Sequence, residues 1–165
     1  HYLLLNKVDV GSKQHRVLVM YLFSCATALR IGDALAVNWE DLDVKRNPIV
    51  FGIKMPKVKK PLYITLPPLA EEMLEFAPEG NLNNVEKENH IFYHYDKQVI
   101  NETLRELAKM AEIDKRLTYH SSRRTFATLA SAKGVPLKDL KQYMGHRSIK
   151  TNDRYIKWSP SLAAP

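Results

Sequence analysis

Residues 118–157 read TYHSSRRTFATLASAKGVPLKDLKQYMGHRSIKTNDRYIK, and this stretch decides the fold. Three features occur in it in fixed order. His120 and Arg123 stand three residues apart, so on a helix they share a face. Gly145 and His146 follow a second short helical pattern, and Tyr155 lies nine residues beyond His146. The run Ser121 to Ala132 predicts a helix closed by Gly134, because glycine readily enters the left-handed region at a helix end. Pro136 to Tyr143 predicts the short helix, and Ser148 or Thr151 caps a last helical turn around Tyr155.

Upstream, the helical pattern starts at Ser12, a good N-cap residue. Val17, Leu18, Met20, Tyr21 and Leu22 run into Cys25 with few polar breaks, as in a helix buried on most sides. The segment ATALRIGDALAVNWEDLD (26–43) reads as a turn followed by a short helix from Ile31 to Ala36. Gly32 weakens that helix, which therefore needs tertiary support. NPIVFGI (47–53) and PLYITL (61–66) are short runs of β-branched and aromatic residues. Between them lies KMPKVKK, so a β-hairpin is predicted whose tip carries Lys54, Lys57, Lys59 and Lys60. Pro67 and Pro68 open a helix through Phe76. Residues 78–89 form an Asn- and Glu-rich loop. Lys97 to Ala111 places Val99, Ile100, Leu104, Leu107 and Met110 on one side of a helix. Residues 1–11 read as a lead-in. The fold class predicted is mainly α with a small antiparallel β-hairpin, in one domain spanning 1–165. Cys25, Trp39 and Tyr143 read as core, and His94 and Tyr95 as loop residues without a role.

The chain of 165 residues carries 25 Lys and Arg against 18 Asp and Glu, a net charge of +7. A basic domain of this kind suits a polyanionic partner, because each neutralised phosphate releases counterions. The single cysteine excludes an intramolecular disulfide and fits a reducing compartment. No signal peptide is visible. The longest apolar stretch, Val17 to Leu29, is too short to cross a bilayer and contains Ser24 and Thr27. No spacing of Asp, Glu, His or Cys typical of a metal site stands out.

Taken together, the boxes resemble the tyrosine recombinase (phage integrase) family. His120-Ser121-Ser122-Arg123 matches the family's His-x-x-Arg box, and Thr125-Phe126-Ala127-Thr128 its usual continuation. Met144-Gly145-His146 matches Leu-Gly-His with Met for Leu, and the spacing to Tyr155 also agrees. Ala26 to Asp33 matches the first box around Arg30, with Ala28 where the family usually has Gly and Gly32-Asp33 where it has Ser-Glu. Counting back along the hairpin lands on Lys57 as the family's lysine, with Lys54 as its rival. The resemblance runs from Ser12 to Lys157.

The resemblance implies a catalytic domain that cleaves and rejoins DNA by transesterification, with Tyr155 as nucleophile and no metal or other cofactor. Extra negative charge develops on the non-bridging phosphate oxygens during such a step. Arginine meets two of these oxygens at once and stays charged, which suits Arg30 and Arg123. His120 accepts the Tyr155 proton or holds the phosphate, and His146 hydrogen-bonds a non-bridging oxygen. Lys57 protonates the leaving 5′-oxygen. Asp33 orients Arg30 or caps its helix. Lys54, Lys59, Lys60, Arg124 and Arg147 are candidates for DNA phosphates.

The implied partner is double-stranded DNA, bound as a homotetramer by a full-length recombinase, whereas the isolated domain is expected to be a monomer. The implied location is cytoplasmic and nucleoid-associated. The family's N-terminal DNA-binding domains have no match here. Ten residues follow Tyr155, with Pro160 and Pro165 among them, so a full exchange helix is not expected. Two rivals differ in class. A type IB topoisomerase would relax supercoils without paired sites, and an inactive DNA-binding module would form no covalent adduct.

Overall fold

Helix α2 (Lys13–Thr27) runs through the centre of the protein, and every residue from Val17 to Thr27 is buried. In this computed structural model, residues 2–53, 62–77 and 90–144 are described. The Ser12 hydroxyl caps α2 as expected, accepting the His15 N–H at 3.1 Å. The helices α4 (Pro68–Glu75), α5 (Lys97–Met110) and α6 (Tyr119–Ala132) pack around α2. Phe23, fully buried on α2, meets Phe92 at 5.1 Å and Phe51 at 6.5 Å between ring centroids. Burial of each such side chain stabilises the fold by roughly 1.5–3 kcal/mol.

The sheet has one strand more than the hairpin predicted. Strands β1 (Leu42–Asp43), β2 (Val50–Ile53) and β3 (Leu62–Thr65) lie in that order, all antiparallel. Leu42 pairs with Phe51, and Phe51 with Ile64. The second strand starts at Val50 rather than Asn47, since Pro48 has no N–H for a ladder. Just before the strand, the Ile49 N–H donates to Glu71 on α4 at 2.6 Å, which ties the sheet to the helices. The tip between β2 and β3 lies outside the described residues, and with it Lys54, Lys57, Lys59 and Lys60.

Three further boundaries differ from expectation. The lead-in contains a short helix, α1 (Tyr2–Leu5), with Leu5 buried. The helix expected from Ser121 begins at Tyr119, because Thr118 is the N-cap and exchanges side-chain and backbone contacts with Ser121. The last described helix, α7 (Leu137–Met144), reaches Met144. It docks on α6 through a small cluster of Ala28, Ala127 and Met144, flanked by Phe126 and Tyr143. The Phe126 and Tyr143 rings stack at 5.1 Å, 13° from parallel. This docking fixes where the last carbonyls of α7 point. Among the described residues, no helix is long and apolar enough to cross a membrane.

Candidate active site

The chain leaves α2 through Ala28, a left-handed residue with φ 56° whose N–H closes the helix on Ser24 O at 2.9 Å. A non-glycine residue there costs about 1 kcal/mol. The Ala28 methyl is buried against Ala127 and Met144, which offsets part of that cost. The turn has two results. It sends the Ala28 carbonyl toward α6, and it places Arg30 at the N-cap of α3 (Ile31–Leu35).

Arg123 lies one turn into α6 and is only 4% exposed. Its Nη1 donates to the Ala28 carbonyl, and its Nη2 to the Met144 carbonyl at 2.7 Å. Arg30 Nη2 donates to that same Met144 oxygen at 3.3 Å. Two guanidinium groups from separate elements thus converge on one oxygen. Like charges held this close repel in a partly desolvated site, and an anion bridging them would relieve that cost. Asp33 sits 3.9 Å from Arg30 Nη1, with the two side chains 47% and 55% exposed. At such exposure the pair orients the arginine weakly and adds little stability.

His120, in the first turn of α6, is exposed on the same side as Arg123. Both line a cleft of about 690 Å³ with Arg30, and the cleft is further lined by Lys97, Arg105 and Arg116. Among the described residues that line it, none is acidic. The structure therefore brings Arg30, His120 and Arg123 together. Arg124 is exposed on α6 and does not line this cleft. Lys57, His146, Arg147 and Tyr155 lie outside the described residues.

Lys97, Arg105 and Arg116 escaped the sequence reading, which followed the apolar face of α5. Lys97, Asn101 and Arg105 recur every four residues, so they form one polar stripe along the edge of that face. That periodicity was the available signal.

Burial raises the phenols of Tyr119, which lines the cleft, and of Tyr143, beside Met144, above their ordinary value of 10. The Arg123 guanidinium opposes this at Tyr143 without cancelling it. Neither is suited to act as a phenolate. Burial likewise pushes the Cys25 thiol up to about 12, in keeping with a packed core residue.

Comparison with known proteins bears on the family and the fold. The sequence model of the phage integrase family matches residues 3–161. The tyrosine recombinase XerD of Halalkalibacterium halodurans is 26% identical over 155 residues, covering 89% of this chain and 50% of that protein. The putative integrase/recombinase y4eF of Sinorhizobium fredii is 25% identical over 151 residues, covering 88% and 57%. The chain thus spans about half the length of the curated relatives it matches. Among solved structures, the XerA recombinase superposes with a TM-score of 0.68 at 21% identity, over 94% of this chain and 62% of that one. The XerH site-specific recombinase bound to difH substrate gives 0.69 at 20% identity, over 93% and 46%.

Proposed function

Since this chain belongs to the phage integrase family, we propose that it is the catalytic domain of a site-specific DNA recombinase. It breaks and rejoins one DNA strand at a time through a covalent tyrosine link. The observation that carries this reading is the convergence of Arg30 and Arg123 on the Met144 oxygen, inside a cleft whose described lining holds cations and no acid. Such a pair is suited to a phosphodiester, whose charge grows in the transition state.

In this reading the Tyr155 phenol loses its proton to His120, and its oxygen attacks the scissile phosphorus. The bond from phosphorus to the 5′-oxygen breaks, and Lys57 protonates that oxygen. The products are a 3′-phosphotyrosyl link and a free 5′-hydroxyl. Arg30, Arg123 and His146 hold the non-bridging oxygens. The link retains the energy of the phosphodiester, so a second 5′-hydroxyl reverses the step without ATP. The burial that keeps Tyr119 and Tyr143 protonated supports a nucleophile elsewhere. The partner is double-stranded DNA, and XerH, which shares the fold, is solved bound to its own DNA substrate. Exchange between duplexes requires assembly of four protomers by the full-length protein.

A nicked suicide substrate tests the reading, because cleavage releases a short fragment and traps the covalent link. The wild-type chain is expected to form a protein–DNA adduct, and Tyr155→Phe to form none. An adduct that survives this substitution rules out Tyr155 as the nucleophile.

A further inference from the structure

Helix α6 is tied at its start to two other helices, α5 and α2. The first amides of a helix have no partner inside it. Thr118 and Ser121 meet part of this need locally, since Thr118 caps the Ser121 amide and Ser121 Oγ accepts the Thr118 N–H at 3.2 Å. The amide of Tyr119 is served from another helix, because Asn101 Oδ1 on α5 accepts it at 2.9 Å. Asn101 is itself oriented by its Nδ2, which donates to the Lys97 carbonyl at 2.7 Å. At its other end, the Tyr119 hydroxyl shares a buried hydrogen bond with Ser24 of α2. Its ring is 3% exposed and stands edge-on to Tyr21 at 6.2 Å.

Tyr119 is therefore fixed at its amide by α5 and at its hydroxyl by α2. The next residue is His120, and Arg123 follows one turn later. A local cap stabilises a helix wherever it lies, but a cap supplied by a second helix also sets where the helix begins. Asn101 lines the same cleft as His120 and Arg123. We propose that Asn101 is a positioning residue, which through the main chain of Tyr119 sets His120 and Arg123 for reaction with the scissile phosphate. This rests on the reading of function given above.

The test compares Asn101→Leu, which removes the acceptor, with Asn101→Asp, which keeps a carboxylate oxygen for the Tyr119 amide. Cleavage of the suicide substrate is followed in a single turnover at saturating DNA, across pH, with DNA affinity measured separately. A displacement near 1 Å at a reacting group costs about 10²-fold. Asn101→Leu is accordingly expected to slow cleavage about 10- to 100-fold. Its DNA affinity should stay close to wild type, and its pH–rate profile should move. Asn101→Asp is expected to recover most of the rate, although its added charge weakens DNA binding. Asn101→Gln, which keeps both polar groups one methylene further out, is a milder variant expected to fall between the two.

Cleavage at the wild-type rate by Asn101→Leu would overturn the inference. So would Asn101→Asp as slow as Asn101→Leu, or an unchanged pH profile in every variant. If Asn101→Leu does not fold, a wild-type rate and profile in Asn101→Gln overturn it equally. Absence of any adduct from the wild-type chain would overturn the reading of function itself, and this inference with it.

Discussion

On the α6 side of the cleft, Arg123 is 4% exposed and held by the carbonyls of Ala28 and Met144. On the α3 and α5 sides, Arg30 keeps 55% of its side chain exposed, and Lys97 and Arg105 are exposed as well. The two sides use the same kind of charge differently. A buried guanidinium on fixed acceptors cannot reorient, so its field is already aimed when charge develops. Exposed cations are screened and mobile, which suits attraction and loose holding of a polyanion more than catalysis. Arg30 belongs to both groups, about half exposed yet sharing the Met144 oxygen with Arg123.

The contrast predicts graded effects. Arg123→Ala should cost most, lowering adduct formation about 10²- to 10³-fold and stability by roughly 2 kcal/mol, since two carbonyls lose a charged donor. Arg30→Lys should slow cleavage by a comparable factor while leaving stability within about 0.5 kcal/mol of wild type. Cleavage kinetics and urea unfolding of both variants check this. If Arg30→Lys destabilises as much as Arg123→Ala, the distinction between the two sides collapses.

A smaller effect is expected at the rim. Arg105→Gln and Arg116→Gln should each flatten the plot of log affinity against log salt by about 0.9, the value of one lost phosphate contact on duplex DNA. Their cleavage rates at saturating DNA should not change. A lost rate with an unchanged salt slope would move these residues from holding DNA to chemistry.

The smallest effect concerns His15, buried at the opposite end of α2. Burial lowers its pKa below the ordinary 6.5, and the neighbouring Arg16 lowers it further. The folded protein therefore holds the neutral imidazole, and protonation favours the unfolded chain. Stability is complete above 6.5 and falls as the pH drops below that value. Urea unfolding at about pH 7 and about pH 5 should show this loss, and His15→Leu should reduce it.

Much of this was legible in the sequence, and the exceptions have physical causes. The helices α2, α5 and α6 announced themselves through apolar periodicity and caps, since burial imposes that pattern on local sequence. Arg30, His120 and Arg123 were legible through their spacing and surroundings. The role of the main chain was not. Ala28 and Met144 contribute carbonyl oxygens, which every residue has, and only the left-handed turn and the docking of α7 aim them at Arg123. Asn101 was equally hidden, because its partner is an amide 18 residues away on another helix. The added strand β1 is two residues long, too short for alternation to show.

The central claim is that Arg30 and Arg123 serve the charge of one scissile phosphate. The most direct test uses a suicide substrate whose scissile linkage is a neutral methylphosphonate, cleaved by wild type and by Arg30→Ala. On the natural phosphate, Arg30→Ala should be slower by about 10²-fold or more. On the neutral linkage, with the charge already removed, the two proteins should cleave at rates within about tenfold of each other. A variant disabled to the same degree on both linkages would show that Arg30 does not act on that charge, and would contradict the account.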